Sequence, residues 1–438
     1  WYVLPDEYLV SGESLVRNLL TGRRVAERFG RISEAGYVPD PFGHVAQLPQ
    51  VLRGFGIDNF IFLRGMPRAE RYGTEFTWQA PDKKSQVLAI WMKNIYFNAS
   101  LMGYDIGWGD SEPIEDQFAM EKALAQLDGQ LEDLGKWTHC GVILLNNGCD
   151  HTPPQREIPE IVRAANKHFP DAEFLHSTYD DFIDDVKRHK PRLPLMEGEL
   201  RSSCYIMILP GVLSTRMYLK QWNRRCEALL EKWAEPMSAA ALLRGEADQR
   251  PFLNEAWKLL LQNHPHDSIC GCSIDAVHRE MMTRFEKVAQ IGETVAKAGI
   301  NATHTRLDTQ REDALRAPVV WNPLPCERSG PAAAWVPFDE ELPEKFAVVD
   351  ADGNVIPSQT GDERRYWKTD YLSFNRSLRE TELALDLPTA GIGYQVLWLR
   401  EAKPARQHNW SKSATTKKID TDFYRIKFNS NGTFDIED

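Results

Sequence analysis

The stretch AGYVPDPFGHVAQLPQVLRGFGIDNFIFLRG, Ala35–Gly65, decides how this fold is predicted. Within it, Asp40 stands between Pro39 and Pro41, after an apolar Gly-Tyr-Val and before a helix-like segment. Proline fixes its own backbone and pushes the residue before it out of the helical region, so we expect Asp40 in an extended loop that follows a strand. In α/β folds such loops carry the chemistry. The alternative interpretation is a surface turn, because Asp and Pro are common turn residues.

On both sides of this stretch, short apolar runs alternate with amphipathic segments. Four runs bounded by polar residues or glycine are predicted as strands: Asn59–Leu63, Val87–Met92, Gly141–Leu145 and Glu173–Leu175. Four segments with helical periodicity are predicted as helices: Glu13–Phe29, Glu115–Leu134, Ile158–His168 and Tyr179–Arg188. This alternation predicts a parallel sheet with helices outside it, either open or closed into a barrel.

The pattern changes at about Ser214, where apolar residues recur at three- and four-residue spacing and predict a helical bundle. Beyond Ala317, prolines, short β-branched pairs and turn residues indicate strands, with a hairpin around Asn429–Gly432. We therefore predict three domains: an α/β catalytic domain over residues 1–213, a helical bundle over 214–312 and a β-sandwich over 313–438.

The composition is that of a globular protein: 438 residues, 42% of them hydrophobic and 26% charged. A net charge of -11 argues against a nucleic-acid partner or an anionic membrane surface. No apolar run approaches the roughly 18 residues of a membrane span. The 7 cysteines are scattered and odd in number, which is not typical of a disulfide framework and favours a reducing, cytoplasmic location.

A second motif, LLLQNHPHDSICGCSID, lies more than two hundred positions further on. It places His264, His266 and Asp267 in a polar break between two helical segments, and imidazole and carboxylate ligands suit zinc. The spacing of Cys270 and Cys272 matches neither a zinc finger nor a zinc ribbon. The alternative interpretation is a helix junction whose histidines cap carbonyl groups and whose cysteines are small buried residues.

Other polar residues recur near the ends of predicted strands: Asp6, Glu7, Arg64, Asn147, Asp150, His151, Glu197 and Glu199. Each by itself is typical of a solvated or ion-paired surface group. Together they are the carboxylates and amides from which carbohydrate sites are built, and the 13 tryptophans would allow stacking on sugar rings.

The segments GYVPDPFGHVAQLPQVLRGFGI, FIFLRG, LPGVLSTRMYLKQ, NHPHDSICGCSIDAVHREM and WNPLPCERSG occur in an order that resembles the class II α-mannosidases of glycoside hydrolase family 38. The similarity covers nearly the whole chain and is greatest to the bacterial branch, which includes cytoplasmic α-mannosidases and mannosylglycerate hydrolases. The resemblance implies a (β/α)7-type barrel, here without its first strand, followed by a three-helix bundle and the start of a β-sandwich.

The resemblance also implies a retaining mechanism with one zinc ion. Asp40 matches the family's nucleophile, one oxygen of which also contacts zinc. His266 matches a zinc ligand, and Asp267 matches the carboxylate that binds substrate hydroxyls. Arg64 matches a polar position at a strand end near the nucleophile.

Two features of the family's pattern have no match in this sequence. The first barrel strand of the family carries a His-x-Asp-x-Trp motif with two further zinc ligands, which we expect upstream of Trp1; further β domains are expected after Asp438. Where the eukaryotic branch has an aspartate before LPGVLSTR, this sequence reads SSCYIMI. Glu199 is our candidate for the general acid/base on chemical grounds, with Glu197 or a carboxylate from outside this sequence as alternatives.

The leading hypothesis is a zinc-dependent retaining α-mannosidase that acts on mannosides or mannose-containing oligosaccharides through a covalent intermediate on Asp40, as a monomer or a homo-oligomer. Hydrolysis of mannosylglycerate is the alternative within the same class. The alternative of a different class is a non-catalytic carbohydrate-binding relative. Absence of the first zinc-ligand strand from the parent protein would support this alternative.

Overall fold

The structure is a computed structural model that describes residues 1–105, 117–338, 346–370, 373–401, 413–415, 417–421 and 423–438. The chain divides into two compact units. The first consists of Trp1–Ser238 and Ala247–Lys297, and the second of Ala239–Glu246 and Ala298–Asp438. All candidate site residues named above lie in the first unit. The three predicted domains and their boundaries stay a prediction.

The first unit contains a mixed five-stranded sheet. Its strands are β1 (Tyr37–Val38), β2 (Asn59–Phe62), β3 (Glu75–Gln79), β4 (Gln86–Trp91) and β5 (Leu195–Glu197). They lie in the order β1-β2-β4-β3-β5. Strands β1, β2 and β4 are parallel, whereas β3 is antiparallel to β4 and parallel to β5. The predicted strands that became β2 and β4 are confirmed within a residue at each end.

The prediction of a wholly parallel sheet is wrong at β3. A short hairpin over residues 80–85 joins β3 to β4, and in it the N–H of Ala80 donates to the carbonyl of Ser85 at 2.9 Å. The carboxylate of Asp82 accepts from the N–H groups of Lys84 and Ser85. So short a connection can join only antiparallel neighbours, because a parallel pair needs a crossover of about a dozen residues or more.

The helices described in this part are α1 (Gly12–Ala26), α2 (Leu48–Gly54), α3 (Ala69–Tyr72), α4 (Met120–Leu134), α5 (Ile158–His168) and α6 (Tyr179–Arg188). The four predicted helices are confirmed as α1, α4, α5 and α6; the predicted start of α4 at Glu115 lies outside the described residues. Side chains fix two of the starts. Ser11 caps α1, and Thr178 forms a capping box with Asp181 at the start of α6.

Two predicted strands, Gly141–Leu145 and Glu173–Leu175, are not strands in the structure. In the first, the side-chain amide of Asn98 donates to a main-chain carbonyl at 3.1 Å. In the second, the Asn166 amide bonds both the N–H and the C=O of Phe174, at 2.8 and 2.9 Å. Side chains thus hydrogen-bond to backbone groups that a neighbouring strand would otherwise pair with. An apolar run in the sequence does not show that these backbone groups are already bonded.

The strand β2 is buried at all four positions because helices cover both faces of the sheet at that point. On one face Phe60 and Phe62 pack with Leu48 and Leu52 of α2. On the other face Ile61 packs with side chains of α6. A strand covered on both faces is apolar throughout rather than alternating, which explains the run NFIF in the sequence.

The chain continues through a 3₁₀ turn (Pro210–Leu213) into α7 (Met217–Leu229), a π-helical turn (Leu230–Ala234), α8 (Glu235–Leu242), α9 (Arg250–Leu261), α10 (His266–Ile269) and α11 (Asp275–His304). In the first unit, these helices share a core that includes Leu219, Leu230, Trp257, Leu260 and Phe285. The predicted change from strands to helices is therefore present. Its description as a three-helix bundle, like that of the sheet as a barrel, stays a prediction.

The second unit contains mainly strands. Those described are β6 (Ala314–Arg316), β7 (Val319–Asn322), β8 (Pro331–Phe338), β9 (Phe346–Val349), β10 (Val355–Ile356), β11 (Ser358–Asp370), β12 (Ser373–Asp386), β13 (Gly393–Val396), β14 (Trp398–Glu401), β15 (Ser413–Thr415), β16 (Lys418–Asp420), β17 (Arg425–Phe428) and β18 (Phe434–Glu437). They pair as β10-β9-β14-β6, β11-β12-β8, β13-β7 and β15-β16-β17-β18. The hairpin predicted around Asn429–Gly432 is confirmed, since Phe428 lies opposite Phe434.

The core of this unit includes Val348, Leu383, Leu385, Leu397 and Leu399, all buried. The predicted β-sandwich stays a prediction. Among the described residues of both units, no helix combines the length and the apolar character needed to cross a membrane.

Candidate active site

Asp40 lies in the loop after β1, and its side chain is 21% exposed while Pro39 and Pro41 are buried. Arg64 lies in the loop after β2, and its Nη2 atom is 3.4 Å from Asp40 Oδ1. Because β1 and β2 are parallel neighbours, their carboxyl ends meet at the same edge of the sheet. The structure thus brings together two of the predicted site residues, a carboxylate and a guanidinium.

Other contacts hold the Arg64 guanidinium in place. Its Nη1 atom donates to the carbonyl of Met207 at 2.6 Å, and its central carbon lies 5.7 Å from the centre of the Phe42 ring. A separation of 3.4 Å from Asp40 exceeds the usual range for an N–H···O hydrogen bond. Arg64 therefore orients Asp40 by charge without saturating its oxygen atoms.

His44, four residues after Asp40, points the other way. Its Nδ1 atom is 2.7 Å from Glu7 Oε1, and both side chains are fully buried. The second oxygen of Glu7 accepts from the N–H of Val45 at 3.0 Å. The His44 ring packs edge-on against Phe60 and its Nε2 has no partner among the described residues. The motif is thus anchored from inside by a buried carboxylate–imidazole pair.

A third segment crosses this loop. Leu200 exchanges two backbone hydrogen bonds with His44, at 2.8 and 3.1 Å, and the N–H of Ser202 donates to the carbonyl of Gly65 at 3.0 Å. Gly65 has a φ of 102°, and a Cβ atom there would lie 2.2 Å from the Leu200 carbonyl oxygen. Only glycine fits this close approach of the two segments. Because Leu200 pairs with His44, the preceding residue Glu199 lies beside the Asp40 motif.

Glu199 and Glu197 have different surroundings. Glu199 is exposed and close to Tyr8, whose pKa is raised by burial and then by the charge of Glu199. Glu197 instead pairs with Lys83 Nζ at 2.8 Å and accepts from Gln79 at 2.6 Å, and the hydrogen bond from Lys83 lowers the pKa of Glu197. A lowered pKa does not suit a general acid, which counts against Glu197 and leaves Glu199 as the candidate.

Sequence reasoning missed Tyr96, in the segment after β4. Its hydroxyl donates to Asp150 Oδ2 at 2.9 Å. Burial raises the pKa of Tyr96, and the charge of Asp40 raises it further, as do hydrogen bonds to Asp150 and Asp40. The phenol therefore stays protonated and lies between two carboxylates. The only signal in the sequence is its position after a predicted strand, within MKNIYFN.

His266 is the first residue of α10, and its N–H donates to the carbonyl of Leu4 at 3.1 Å. Its side chain is 16% exposed and lies edge-on to Phe42, with ring centres 5.9 Å apart. Phe42 also contacts Arg64, so residues of both predicted motifs meet around this one ring.

Asp6, which the sequence offered as a minor candidate, is buried near His266. Its Oδ1 atom accepts from the N–H groups of Tyr8 and Leu9 at 2.9 and 3.1 Å. Its Oδ2 atom has no partner among the described residues. Burial raises the pKa of Asp6, although the two backbone hydrogen bonds and His266 act against that shift. The unpartnered oxygen thus belongs to a buried carboxyl that is close enough to His266 to interact with it electrostatically.

The other polar residues of the second motif differ from each other. His264 is fully buried with its Nε2 atom 2.7 Å from Asn223 Oδ1, and burial lowers the pKa of His264 to about 3. This histidine is therefore neutral and part of the helix junction. The Asp267 side chain is 63% exposed, and its Oδ2 atom lies 3.9 Å from His266 Nε2. Asp267 is accessible to a ligand.

Asp40 and His266 offer donor types that zinc accepts, but the described residues do not complete a zinc site around them. Within the described ranges, the one group of three or more His, Cys, Asp or Glu side chains with ligand atoms within 4.8 Å of each other is Asp267, Cys270 and Cys272. Zinc takes three or four protein ligands. The described residues therefore show no complete set of zinc ligands around Asp40 and His266.

The remaining candidates from the sequence lie in the loop after Leu145. Asn147 donates to the carbonyl of Ala99 at 2.8 Å and so holds the loop, and His151 is exposed. Asp150 is linked to the site by the hydrogen bond that it accepts from the Tyr96 hydroxyl.

Comparison with known proteins identifies the class. The N-terminal domain model of glycosyl hydrolases family 38 matches residues 1–201, and the alpha mannosidase middle domain model matches residues 208–302. A protein of Halalkalibacterium halodurans, provisionally named a mannosylglycerate hydrolase, is 39% identical over 327 residues, which are 69% of this chain and 34% of that protein. Alpha-mannosidase 2C1 of Mus musculus is 28% identical over 308 residues, 69% of this chain and 27% of its own length.

Among solved structures, an alpha-mannosidase from Enterococcus faecalis matches with a TM-score of 0.83 at 29% identity, covering 100% of this chain and 51% of that one. These matches define a family 38 N-terminal segment followed by an alpha mannosidase middle segment. The chain belongs to glycoside hydrolase family 38, and its fold, a mixed sheet with helices, is that of the family's α-mannosidases. The matched part of the chain covers 34% of the Halalkalibacterium protein and 27% of the mouse protein, so the chain spans only part of the length of these relatives.

Proposed function

We propose that this protein is a retaining α-mannosidase that cleaves terminal α-linked mannose, with Asp40 as its nucleophile. The observation that carries the proposal is the position of this carboxylate. It is 21% exposed beside Arg64, in a loop held by two prolines, by the buried Glu7–His44 pair and by Leu200. A nucleophile has to be both accessible and held in a productive geometry. The names of the α-mannosidase relatives support the substrate class.

The proposed roles account for each bond and proton. An oxygen of Asp40 attacks the anomeric carbon as the bond to the leaving oxygen breaks, and Glu199 protonates that oxygen. A water molecule then cleaves the mannosyl–Asp40 ester and gives its proton to Glu199, so both carboxyl groups return to their starting states. Arg64 balances the charge of Asp40, and the exposed carboxylate of Asp267 accepts hydrogen bonds from sugar hydroxyls.

A zinc ion is proposed for the full-length protein, held by Asp40, His266 and donors from outside the described residues. When bound, zinc would polarise vicinal sugar hydroxyls. We expect elemental analysis to find about one zinc per chain less in His266→Ala than in the unchanged protein, and an unchanged content in His176→Ala, which alters an exposed histidine. Equal zinc in the two variants would exclude His266 as a ligand.

Hydrolysis of mannosylglycerate is a second candidate, favoured by the 39% identity to the Halalkalibacterium protein. The test is to measure kcat/KM of the full-length protein for an aryl α-mannoside and for mannosylglycerate, with and without a chelator. A preference for the aryl mannoside supports the leading proposal, and a strong preference for mannosylglycerate supports the second. Binding of mannose without turnover of either substrate would favour the non-catalytic alternative.

We also propose a reducing, cytoplasmic location. All 7 cysteines are free thiols in the structure, which is the state expected where glutathione and thioredoxin keep thiols reduced. Fractionation of the source cells with an antibody to this chain would test it; recovery from an oxidising compartment would contradict it.

A further inference from the structure

We propose that Asp267, Cys270 and Cys272 form a binding site for a thiophilic divalent cation such as Zn²⁺ or Cd²⁺, in addition to the zinc proposed at Asp40 and His266. Their ligand atoms all lie within 4.8 Å of one another. The two sulfur atoms are 3.3 Å apart, and Cys272 Sγ lies 3.2 Å from Asp267 Oδ1. Two sulfur donors and one carboxylate oxygen form a set that selects soft or borderline cations over Mg²⁺ or Ca²⁺.

The backbone at the end of α10 creates this arrangement. The N–H of Cys270 donates to the carbonyl of His266 at 3.1 Å, which ends the helical turn that carries Asp267. Gly271 then adopts a φ of 87°, and the Arg216 Nε atom donates to its carbonyl at 3.1 Å. A Cβ atom at Gly271 would lie 3.2 Å from the Arg216 side chain. This single glycine turns Cys272 back so that both sulfur atoms face Asp267.

The site is open on one side and closed on the other. Cys270 is fully buried and packs with Phe42 and Val212, whereas Cys272 and Asp267 are exposed. A cation can therefore enter from solvent, reach the buried sulfur and keep a fourth position for water. In a tetrahedral zinc site with Zn–S of about 2.3 Å, the sulfur atoms would be about 3.8 Å apart. The exposed Cys272 side chain has to move by only about 0.5 Å to reach this geometry.

Charge around the site is consistent with a bound cation. A divalent cation would displace the two thiol protons into solvent and leave one net negative charge on the complex. The buried Lys220, whose Nζ atom donates to the Cys270 carbonyl at 2.8 Å, supplies the opposite charge.

The test is a titration of the reduced full chain with Co²⁺, followed by thiolate-to-cobalt charge-transfer absorption. We expect the charge-transfer absorption to saturate when one Co²⁺ per chain has bound to the two sulfur atoms. Cys272→Ser, which changes an exposed side chain, should weaken Co²⁺ binding by about 100-fold or more and reduce the band. The double variant Cys270→Ser/Cys272→Ser should show no charge-transfer band. Cys326→Ser, a control at an exposed cysteine of the second unit, should titrate like the unchanged protein.

Three results would overturn the proposal: no charge-transfer band in the unchanged protein, an unchanged band in Cys272→Ser, or an equal loss in Cys326→Ser. Because Cys270 is buried, its replacement can also perturb folding, so Cys272→Ser is the deciding variant. A cation held by the carboxylate and imidazole of Asp40 and His266 has no sulfur ligand and gives no such band. The band therefore reports the sulfur atoms of Cys270 and Cys272 whether or not the proposed glycosidase activity is correct, although Asp267 is also the residue proposed to bind sugar hydroxyls.

Discussion

Two pairs of opposite character hold the same six-residue motif, Pro39–His44. The Glu7–His44 pair is fully buried at 2.7 Å, whereas the Asp40–Arg64 pair is about one-fifth exposed at 3.4 Å. The buried pair contacts the core aromatic side chains of β2, and the exposed pair lies where a ligand can reach it. One short loop thus has an inward side, where a buried pair anchors it, and an outward side, where Asp40 is open to a ligand.

The strongest loss of activity should come from a change at the exposed pair. Asp40→Asn keeps the size and hydrogen-bonding shape of the side chain but removes the nucleophile, so we expect kcat on an aryl α-mannoside to fall by about four orders of magnitude or more. The Tm should change little, because this side chain is partly solvated. Asp171→Asn, at an exposed aspartate, serves as the control and should leave kcat unchanged. Near-normal turnover by the Asp40→Asn variant would exclude Asp40 as the nucleophile.

The buried pair should show the reverse, a loss of stability. Glu7→Ala leaves His44 and the Val45 N–H buried without their acceptor, so we expect the free energy of unfolding to fall by about 3–5 kcal/mol, measured by urea titration. Glu27→Ala breaks a surface pair, 54% exposed on the Glu27 side, and should cost no more than about 1 kcal/mol. If the two variants are equally stable, the buried pair is not an anchor.

The third effect distinguishes two neighbouring glutamates across the loop. Glu199→Gln should lower kcat/KM by about 10²–10⁴-fold for a poor leaving group, and by less for an aryl group that departs without protonation. Glu197→Gln should stay within about two-fold, because Glu197 is held by Lys83 and Gln79 and its lowered pKa does not suit a proton donor. The opposite ranking would transfer the acid/base role to Glu197.

Local rules predicted much of this region. The two prolines around Asp40 placed it in a loop, and the apolar run NFIF predicted a buried strand, which is β2. The error at β3 also has a local cause, since a six-residue link between strands should have indicated an antiparallel pair.

The contacts that complete the site were beyond sequence reasoning because they join distant positions. Tyr96 reaches Asp150, 54 positions later, and His266 meets Leu4, 262 positions away. No periodicity or spacing encodes such pairs. For the same reason the sequence could not tell that His264 is buried against Asn223 while His266, two residues on, is accessible.

A weaker loss of activity should follow from a change at Tyr96, and measuring it tests whether the outward side of the motif extends to this residue. Tyr96→Phe removes one hydroxyl from between the Asp40 and Asp150 carboxylates, and a hydrogen bond to a charged group contributes about 1.5–3 kcal/mol. We therefore expect kcat/KM on an aryl α-mannoside to fall by about 10–100-fold. Tyr104→Phe removes a hydroxyl that donates to Glu157 at 3.1 Å and should have no such effect.

A double-variant cycle with Asp150→Asn then separates two roles. If Tyr96 positions Asp40 only while Asp150 holds its hydroxyl, the combined variant should lose no more activity than Tyr96→Phe alone. Fully additive losses would mean that Asp150 acts on the substrate by itself. An unchanged rate in Tyr96→Phe would mean that only Asp40 and Arg64 form the outward side of the motif. The Tyr96 ring would then contribute packing alone, as the aromatic side chains around the buried Glu7–His44 pair do.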